Sequence, residues 1–227
     1  MSRSGFVVAA CGLALEARIA SGDDVQAVAG AVDRKRLASA LEREVARGAG
    51  AVMSFGIAGG LAPDFVAGTW IVGRGVIAGA EYRRSDDAWT QRLLARLPGA
   101  RFGDIAGSDA PIATADAKRA LHAATSALAI DTESHIAADI ASAHGLPFAA
   151  FRVIADPVSR DLPPAASVAL TAHGNVDVVA VLRSLVAAPW QLPLLARTAI
   201  DARTAFAALR RARERLGDDL RAAARDA

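Results

Sequence analysis

The sequence contains a single cysteine, Cys11, and two lysines, Lys35 and Lys118, among 227 residues. One cysteine excludes an internal disulfide and is typical of a reducing compartment, and its place within an apolar segment predicts a buried, unreactive thiol. Arginine supplies nearly all of the positive charge, and the first 180 residues contain no dense basic block. The composition therefore gives little support to nucleic-acid binding.

The sequence also lacks any apolar run of the about 20 residues that a membrane-spanning helix needs. Residues 6–15 are apolar, but the run is short and includes Gly12, so we expect no secretory signal peptide there. The four histidines show no metal-ligand spacing, because His135 and His144 are predicted on opposite faces of one helix. We therefore expect a cytoplasmic protein without a metal site.

Hydrophobic residues make up 53% of the chain, which is enough for a substantial core. Residues 6–11 form a continuous apolar run, as expected for a buried parallel strand. Strand-like and helix-like segments alternate with no internal repeat. The pattern predicts an α/β fold with three α/β/α layers around a central mixed, largely parallel sheet. We expect a single domain over residues 1–227, of which 177–227 form a C-terminal helical extension.

The clearest strand–helix–strand pattern lies between residues 130 and 157. Apolar residues 127–130 lead into a helical pattern that stops at Gly145, and a second apolar run covers 148–155. A strand–helix–strand unit predicts two parallel strands. The carboxyl ends of parallel strands share the edge of the sheet where open α/β sheets bind ligands.

Three carboxylates are predicted at that edge. Glu133 and Asp156 follow the two strand ends, and Glu16 follows the first strand of the chain. Each has a structural alternative, since a glutamate in the first turn of a helix is often a cap or an exposed residue. An aspartate before proline often only opens a turn. Their joint position at strand ends favours a functional site.

Glycines follow another predicted strand, residues 51–55. Gly56, Gly59 and Gly60 would let a ligand approach the backbone closely. Their spacing is neither the dinucleotide-binding fingerprint nor a Walker phosphate loop. Farther along, polar residues 81–87 are predicted as a loop.

Two segments with basic residues permit alternative interpretations. Arg34, Lys35 and Arg36 begin a predicted helix and indicate either a solvated turn or an anion site beside the helix N-terminus. A helix is predicted over residues 177–187. The apolar segment 178–195 leads into a long, arginine-rich final helix, predicted over 194–216. That combination is typical of an interfacial membrane helix and also of a helix packed on its own domain.

Three motifs resemble those of the nucleoside phosphorylase/nucleosidase superfamily: SFGIAGGL at 54–61, DTES at 131–134 and FRVIAD at 151–156. They occur in the order of that superfamily's glycine loop, ribose-binding motif and terminal aspartate. Residues 133–138, 144–157 and 181–195 are further similar to the hopanoid-associated phosphorylases. The resemblance implies release of adenine from adenosylhopane, a nucleoside joined through its 5′ carbon to a triterpene, which leaves a ribosyl or phosphoribosyl hopane.

The resemblance implies a role for each matching residue. Asp156 corresponds to the aspartate that protonates or hydrogen-bonds purine N7, and Arg152 to an arginine that orients it. Glu133 corresponds to the glutamate that binds the ribose hydroxyls, and Glu16 to the glutamate that positions the attacking water. Ile112 falls in the loop whose backbone contacts the adenine edge.

Departures from the superfamily pattern leave open whether phosphate or water is the nucleophile. Thr132 replaces the methionine that many members place under the ribose. Ser54 and Ile57 replace an arginine and a serine that bind phosphate in the phosphorylases. Inorganic phosphate, if it is the co-substrate, would need Arg18, the amides around Gly56, or a basic residue such as the Arg34 of a neighbouring subunit. No other cofactor is expected, and phosphorolysis and hydrolysis both remain possible outcomes.

Two rival functions follow from the same residues. One is a soluble methylthioadenosine or S-adenosylhomocysteine nucleosidase, and the other is a nucleoside-binding protein without catalysis. Members of the superfamily usually pair or form rings, so the resemblance implies a homo-oligomer. A lipid-linked substrate would favour peripheral contact of the C-terminal helix with the inner membrane.

Overall fold

Eight strands form a single sheet with helices on both faces in the computed structural model, which describes residues 5–30, 33–163, 188, 190, 192–217 and 220. The strands are β1 (Phe6–Cys11), β2 (Val25–Ala29), β3 (Ala49–Gly60), β4 (Trp70–Ala78), β5 (Glu81–Arg84), β6 (Arg101–Gly107), β7 (Ala129–Asp131) and β8 (Phe148–Asp156). The helices are α1 (Ala14–Ala20), α2 (Arg34–Ala46), α3 (Asp87–Arg96), α4 (Ala115–Thr125), α5 (Ser134–Ala143) and α6 (Leu192–Leu216).

The sheet is mixed, as predicted. Strand β1 is parallel to β2 and β3, β3 is parallel to β8, and β4 is parallel to β6. Antiparallel pairs join β8 to β4, β4 to β5, and β7 to β3. Because β6 also pairs with β7, strands β3, β8, β4, β6 and β7 close into a ring. One end of this ring holds the predicted site residues Glu133, just after the end of β7, and Asp156, at the end of β8.

The prediction that β7 and β8 run parallel is wrong. Strand β8 is parallel to β3, whereas β7 is antiparallel to it, and β7 and β8 are not neighbours. They meet through β3, because Gly59 pairs with Ile130 of β7 and with Asp156 of β8 beyond a register shift. The predicted convergence of the two strand ends therefore occurs, and it results from the pairing of both strands with Gly59 of β3.

Two predicted loops are strands. Gly56, Gly59 and Gly60 lie within β3, which continues through the glycines because β7 and β8 supply backbone partners on its two sides. Residues 81–84 form the edge strand β5, whose backbone pairs with β4 although its side chains are polar. An edge strand needs no apolar face, so its sequence resembles a loop.

Two hydrophobic clusters fill the layers on either side of the sheet. Val7, Ala9 and Cys11 of β1 point to the layer of α1, α3 and α6, and the alternate residues Val8 and Ala10 point to the layer of α2 and α5. This period-two alternation with both faces buried is what a central strand requires. The three-layer prediction and the predicted buried thiol are confirmed.

The final helix packs on the domain over its second half. The face formed by Ala205, Ala208, Leu209, Ala212 and Leu216 is buried against the sheet. Its first half is more open, with Leu192 54% exposed and Ile200 62% exposed. The helix predicted over 177–187 lies outside the described residues. Within the described part of the chain, no helix is long and apolar enough to cross a membrane.

Candidate active site

A fully buried arginine lies behind the site. β8 places Arg152 inside the sheet with 0% exposure, and burial of a guanidinium requires opposite charge nearby. Its Nε lies 2.8 Å from Asp131 Oδ2, and its Nη2 lies 3.4 Å from Glu133 Oε2. Nη2 also donates to Ser54 Oγ at 2.5 Å. Arg152 therefore joins β3, β7 and β8 through charge and hydrogen bonds.

Asp131 shapes the turn from β7 into α5. Its Oδ1 accepts the backbone N–H groups of Glu133 at 2.9 Å and Ser134 at 2.7 Å. Ser134 Oγ donates to the other carboxylate oxygen and lies 2.9 Å from Ser54 Oγ. Asp131 is therefore the residue that satisfies the free N–H groups at this helix start, which leaves the Glu133 side chain available for another role.

Glu16 reaches from α1 to the glycine segment of β3. Its Oε1 accepts the N–H of Ile57 and its Oε2 accepts the N–H of Leu13, both at 2.7 Å. A Cβ on Gly56 would lie 2.5 Å from Glu16 Oε1 and 2.7 Å from Arg152 Nη1, so only glycine leaves room for this pair. Burial raises the pKa of Glu16, and the Arg152 guanidinium and the backbone N–H groups offset part of that rise.

Glu133 packs against the end of β1. A Cβ on Gly12 would lie 2.8 Å from Glu133 Oε1, so the glycine gives the carboxylate its space. Thr132 Oγ1 donates to the same oxygen. Burial raises the pKa of Glu133 to about 7; Arg152 opposes the rise, and the carboxylates of Asp131 and Glu16 add to it.

Asp156 ends β8 and is held by a residue of α4. Lys118, whose side chain is 0% exposed, forms an ion pair with Asp156 Oδ2, whereas the Asp156 side chain is 17% exposed. Burial raises the pKa of Asp156, and hydrogen bonding and charge from Lys118 oppose that rise.

A cavity of about 360 Å³ joins these groups. Five of the predicted site residues line it: Glu16, Ile112, Thr132, Glu133 and Asp156. Its wall also contains apolar residues from several elements, among them Ile57, Ile130, Ile136, Leu162 and Ala202. A mostly apolar cleft of this size with a few converging polar groups is typical of a small-molecule site.

The other predicted site residues lie outside the lining. Arg152, Ser54 and Gly56 form a layer behind the cavity wall, in contact with the lining carboxylates Glu16 and Glu133. Arg18 is exposed on α1 and does not line the cavity. Among the described residues, no group of three or more His, Cys, Asp or Glu side chains is arranged to hold a metal ion.

The sequence patterns did not mark three residues of the site: Lys118, Asp131 and Ser134. Asp131 and Ser134 belong to the DTES motif that contains Glu133, so that motif could have pointed to them. Lys118 had a weaker signal, because it is one of only two lysines in a chain rich in arginine. Its contact with Asp156 spans 38 positions of sequence, which no local pattern reveals.

We expect Glu133→Gln to weaken the pH dependence of folding stability. The pKa of Glu133 in the folded chain is about 7 against an ordinary 4.5, so the unfolded chain releases this proton at lower pH. Glu133 therefore destabilises the fold progressively as the pH rises from about 4.5 to about 7, and contributes no penalty below that window. Urea unfolding at several pH values measures this slope, which should be shallower in the variant.

The matched control for this variant is Glu81→Gln, at a carboxylate whose side chain is 67% exposed. It should leave the slope of stability against pH as in the wild type. A slope for Glu133→Gln as steep as that of the control would contradict the assignment of the pH dependence to this buried carboxyl.

The fold and the site together define an α/β enzyme of the nucleoside phosphorylase and nucleosidase type. The family model described as Phosphorylase superfamily matches residues 26–187, and the chain belongs to this superfamily. The comparison with curated proteins found no match.

Solved structures of low sequence identity share the fold. A putative 5′-methylthioadenosine/S-adenosylhomocysteine nucleosidase (MTAN) from Francisella philomiragia aligns with a TM-score of 0.65 at 12% identity, over 96% of this chain and 99% of its own. A mutant MTAN of Helicobacter pylori with 5′-methylthioadenosine in its active site gives 0.65 at 14% identity, over 82% and 99%. Futalosine hydrolase of H. pylori gives 0.64 at 13%, over 81% and 98%.

Proposed function

We propose that the protein cleaves the N-glycosidic bond of a 5′-substituted adenosine and releases adenine. The observation that carries this proposal is the convergence of Glu16, Glu133 and Asp156 on one cavity. Three carboxylates there can serve the leaving group, the sugar and the nucleophile separately. Membership of the superfamily and the nucleosidase names of similar structures support the reaction class.

Each carboxylate has a separate task in this reaction. Adenine leaves more readily when N7 receives a proton, and Asp156, whose pKa burial raises, is the proposed donor. Glu133 accepts hydrogen bonds from the ribose hydroxyls in its ionised form and places negative charge near the oxocarbenium-like transition state. Glu16 binds the water that attacks the anomeric carbon, and its raised pKa makes it a stronger base.

The charges around the cavity favour water over phosphate as the nucleophile. Six carboxylates line it: Glu16, Asp33, Asp109, Asp131, Glu133 and Asp156. Among the described lining residues the only arginine or lysine is Arg34, and its Nη1 lies 2.5 Å from Asp109 Oδ2. Arg152 is buried and engaged by Asp131, Glu133 and Ser54. A phosphate dianion in this cavity would be repelled by the ionised carboxylates among its lining residues, so we propose hydrolysis.

For the 5′ substituent we propose the triterpene of adenosylhopane. Helix α6 contributes Thr198 and Ala202 to the cavity wall, and exposed apolar side chains occur at the same end of that helix, at Leu192 and at the preceding Trp190. Exposed apolar surface on the same helix that lines the cavity suits a substrate whose 5′ arm extends out of the cavity. The second candidate substrate is methylthioadenosine, which the structures of similar fold bind or act on by name.

The test is adenine release from adenosylhopane in detergent, measured with and without inorganic phosphate. We expect equal rates in both conditions, and a loss of about 100-fold or more in Glu16→Gln, because the attacking water loses its base. Glu81→Gln should keep the wild-type rate. Release that requires phosphate would overturn the hydrolytic proposal, and cleavage of methylthioadenosine alone would overturn the hopanoid substrate.

A further inference from the structure

The lysine that contacts Asp156 makes three hydrogen bonds and is sealed from solvent. Lys118 Nζ donates to the Asp156 carboxylate, to the carbonyl oxygen of Arg160 at 3.0 Å and to that of Pro157 at 3.5 Å. An ammonium group has three N–H donors, so this environment satisfies all of them. The side chain is 0% exposed, and it is absent from the cavity lining.

We propose that Lys118 is a positioning residue for the glycosidic cleavage: it holds Oδ2 of Asp156 and leaves Oδ1 to reach the purine base. The inference rests on the proposed function, because it assigns Asp156 to the leaving group. Lys118 does not line the cavity, so its effect on the reaction passes through Asp156. The two carbonyl contacts fix the ammonium independently of the carboxylate, which gives Asp156 a stationary partner.

The segment after Asp156 is attached to α4 by contacts that do not need Lys118. Asp161 Oδ1 accepts the N–H of Ala115 at 2.7 Å, and the N–H of Leu162 donates to the carbonyl of Ala113 at 2.7 Å. These bonds hold the start of α4 against residues 161–162. Substitution of Lys118 should therefore leave this segment in place, and the variants can be assayed as folded proteins.

Lys118 also sets the pH range in which Asp156 carries its proton. Burial raises the pKa of Asp156, and the hydrogen bond from Lys118, followed by its charge, opposes that rise most strongly. The remaining charged groups that act on it are Arg160, which lowers the pKa, and Asp201 of α6, which raises it; these two form an ion pair at 2.7 Å. Removal of the lysine charge therefore raises the pKa of Asp156 further.

The sign of the effect on catalysis follows from the role of Asp156 as an acid. The rate falls as the pH rises through the pKa of the proton donor. Lys118→Met should therefore move this fall to higher pH while lowering the maximal rate by about 100-fold, because the carboxyl loses its orientation. Lys118→Arg keeps the charge, so the fall should stay near its wild-type pH and part of the rate should return.

The experiment measures the pH profile of kcat for adenine release by the wild type and five variants. Lys118→Met and Lys118→Arg are the test variants, and Lys35→Met, at the other lysine of the chain, on exposed α2 surface, is the matched control and should behave as the wild type. Asp156→Asn and its combination with Lys118→Met complete a double-mutant cycle. If Lys118 acts through Asp156, loss of the lysine should change the rate little once Asp156 is replaced.

Two results would overturn the inference. One is an unshifted pH profile in Lys118→Met, and the other is the same loss of rate with and without Asp156. Thermal unfolding shows whether Lys118→Met folds. If it does not, the rate and pH profile of Lys118→Arg, which keeps the charge, still test whether the contact with Asp156 depends on the position of the lysine ammonium. If the wild type releases no adenine, the proposed function fails instead, and the pH dependence of adenine binding, followed by calorimetry, then decides whether Lys118 tunes Asp156.

Discussion

Arg152→Met should lower the free energy of unfolding by about 3–5 kcal/mol, which is typical of a buried ion pair that loses one partner. The guanidinium has no exposed surface, and its neighbours Asp131 and Glu133 are buried carboxylates at 2.8 and 3.4 Å. Methionine fills much of the volume but leaves those charges without compensation. Urea unfolding followed by circular dichroism measures the loss of stability relative to the wild type. The variant should also lose adenine release.

The destabilisation of Arg152→Met should depend on pH in a defined direction. Without the guanidinium, the pKa of Glu133 rises further, because Arg152 is the influence that lowers it most. Protonation then neutralises the carboxyl, so the variant should recover part of its stability at pH 5 relative to pH 8. A deficit that is the same at both pH values would contradict an electrostatic origin.

A surface arginine provides the matched control for Arg152. Arg84 forms an ion pair with Asp87 at 2.9 Å, but the two side chains are 69% and 73% exposed. Exposed pairs contribute about 0–1 kcal/mol, so Arg84→Met should change the stability by less than that amount. If the two arginine variants were equally stable, Arg152 would not be the charge that holds the site together.

Asp156→Asn should reduce the rate of adenine release by about 10²–10⁴-fold, the usual contribution of a positioned proton donor. The amide is close to the carboxyl in size and can still accept a hydrogen bond from Lys118, so the fold should persist. In the proposed reaction, asparagine cannot supply the proton that N7 needs as adenine leaves. Single-turnover kinetics measure the chemical step, and calorimetry with adenine measures whether binding survives.

The control for Asp156→Asn is Asp116→Asn, in the first turn of α4, where the side chain is 92% exposed. It should retain the wild-type rate. The same experiment separates catalysis from binding alone, because a nucleoside-binding protein would have no wild-type rate to lose. A wild-type rate in Asp156→Asn would remove this aspartate from the mechanism.

Local chemistry explains which features could be predicted. Helices α2 and α4 begin at residue types that favour helix starts, because the side chains of Asp33 and Thr114 each accept a backbone N–H three residues on, from Arg36 and Ala117. The buried strand β1 could be predicted from its unbroken apolar run. These features depend on a few adjacent residues, so the local sequence contains the information that decides them.

Strand pairing was less predictable. The run of residues 129–131 does not show whether its partner lies parallel or antiparallel, and β7 pairs both ways, with β6 and with β3. Gly56, Gly59 and Gly60 resembled a loop because glycine is rare within strands. In β3, glycine at position 56 is required because the Glu16 carboxylate and the Arg152 guanidinium occupy the space of a side chain.

The layered α/β architecture, the three carboxylates of the site and the motifs that resemble the superfamily could all be identified from the sequence. The groups that surround those carboxylates could not, because they come together only through the tertiary fold. The pairing of Lys118 with Asp156 joins residues 38 positions apart, and the contact of Arg152 with Ser54 spans 98. The pKa values of Glu16, Glu133 and Asp156 depend on burial and on such neighbours, because desolvation and charge act through space rather than along the chain.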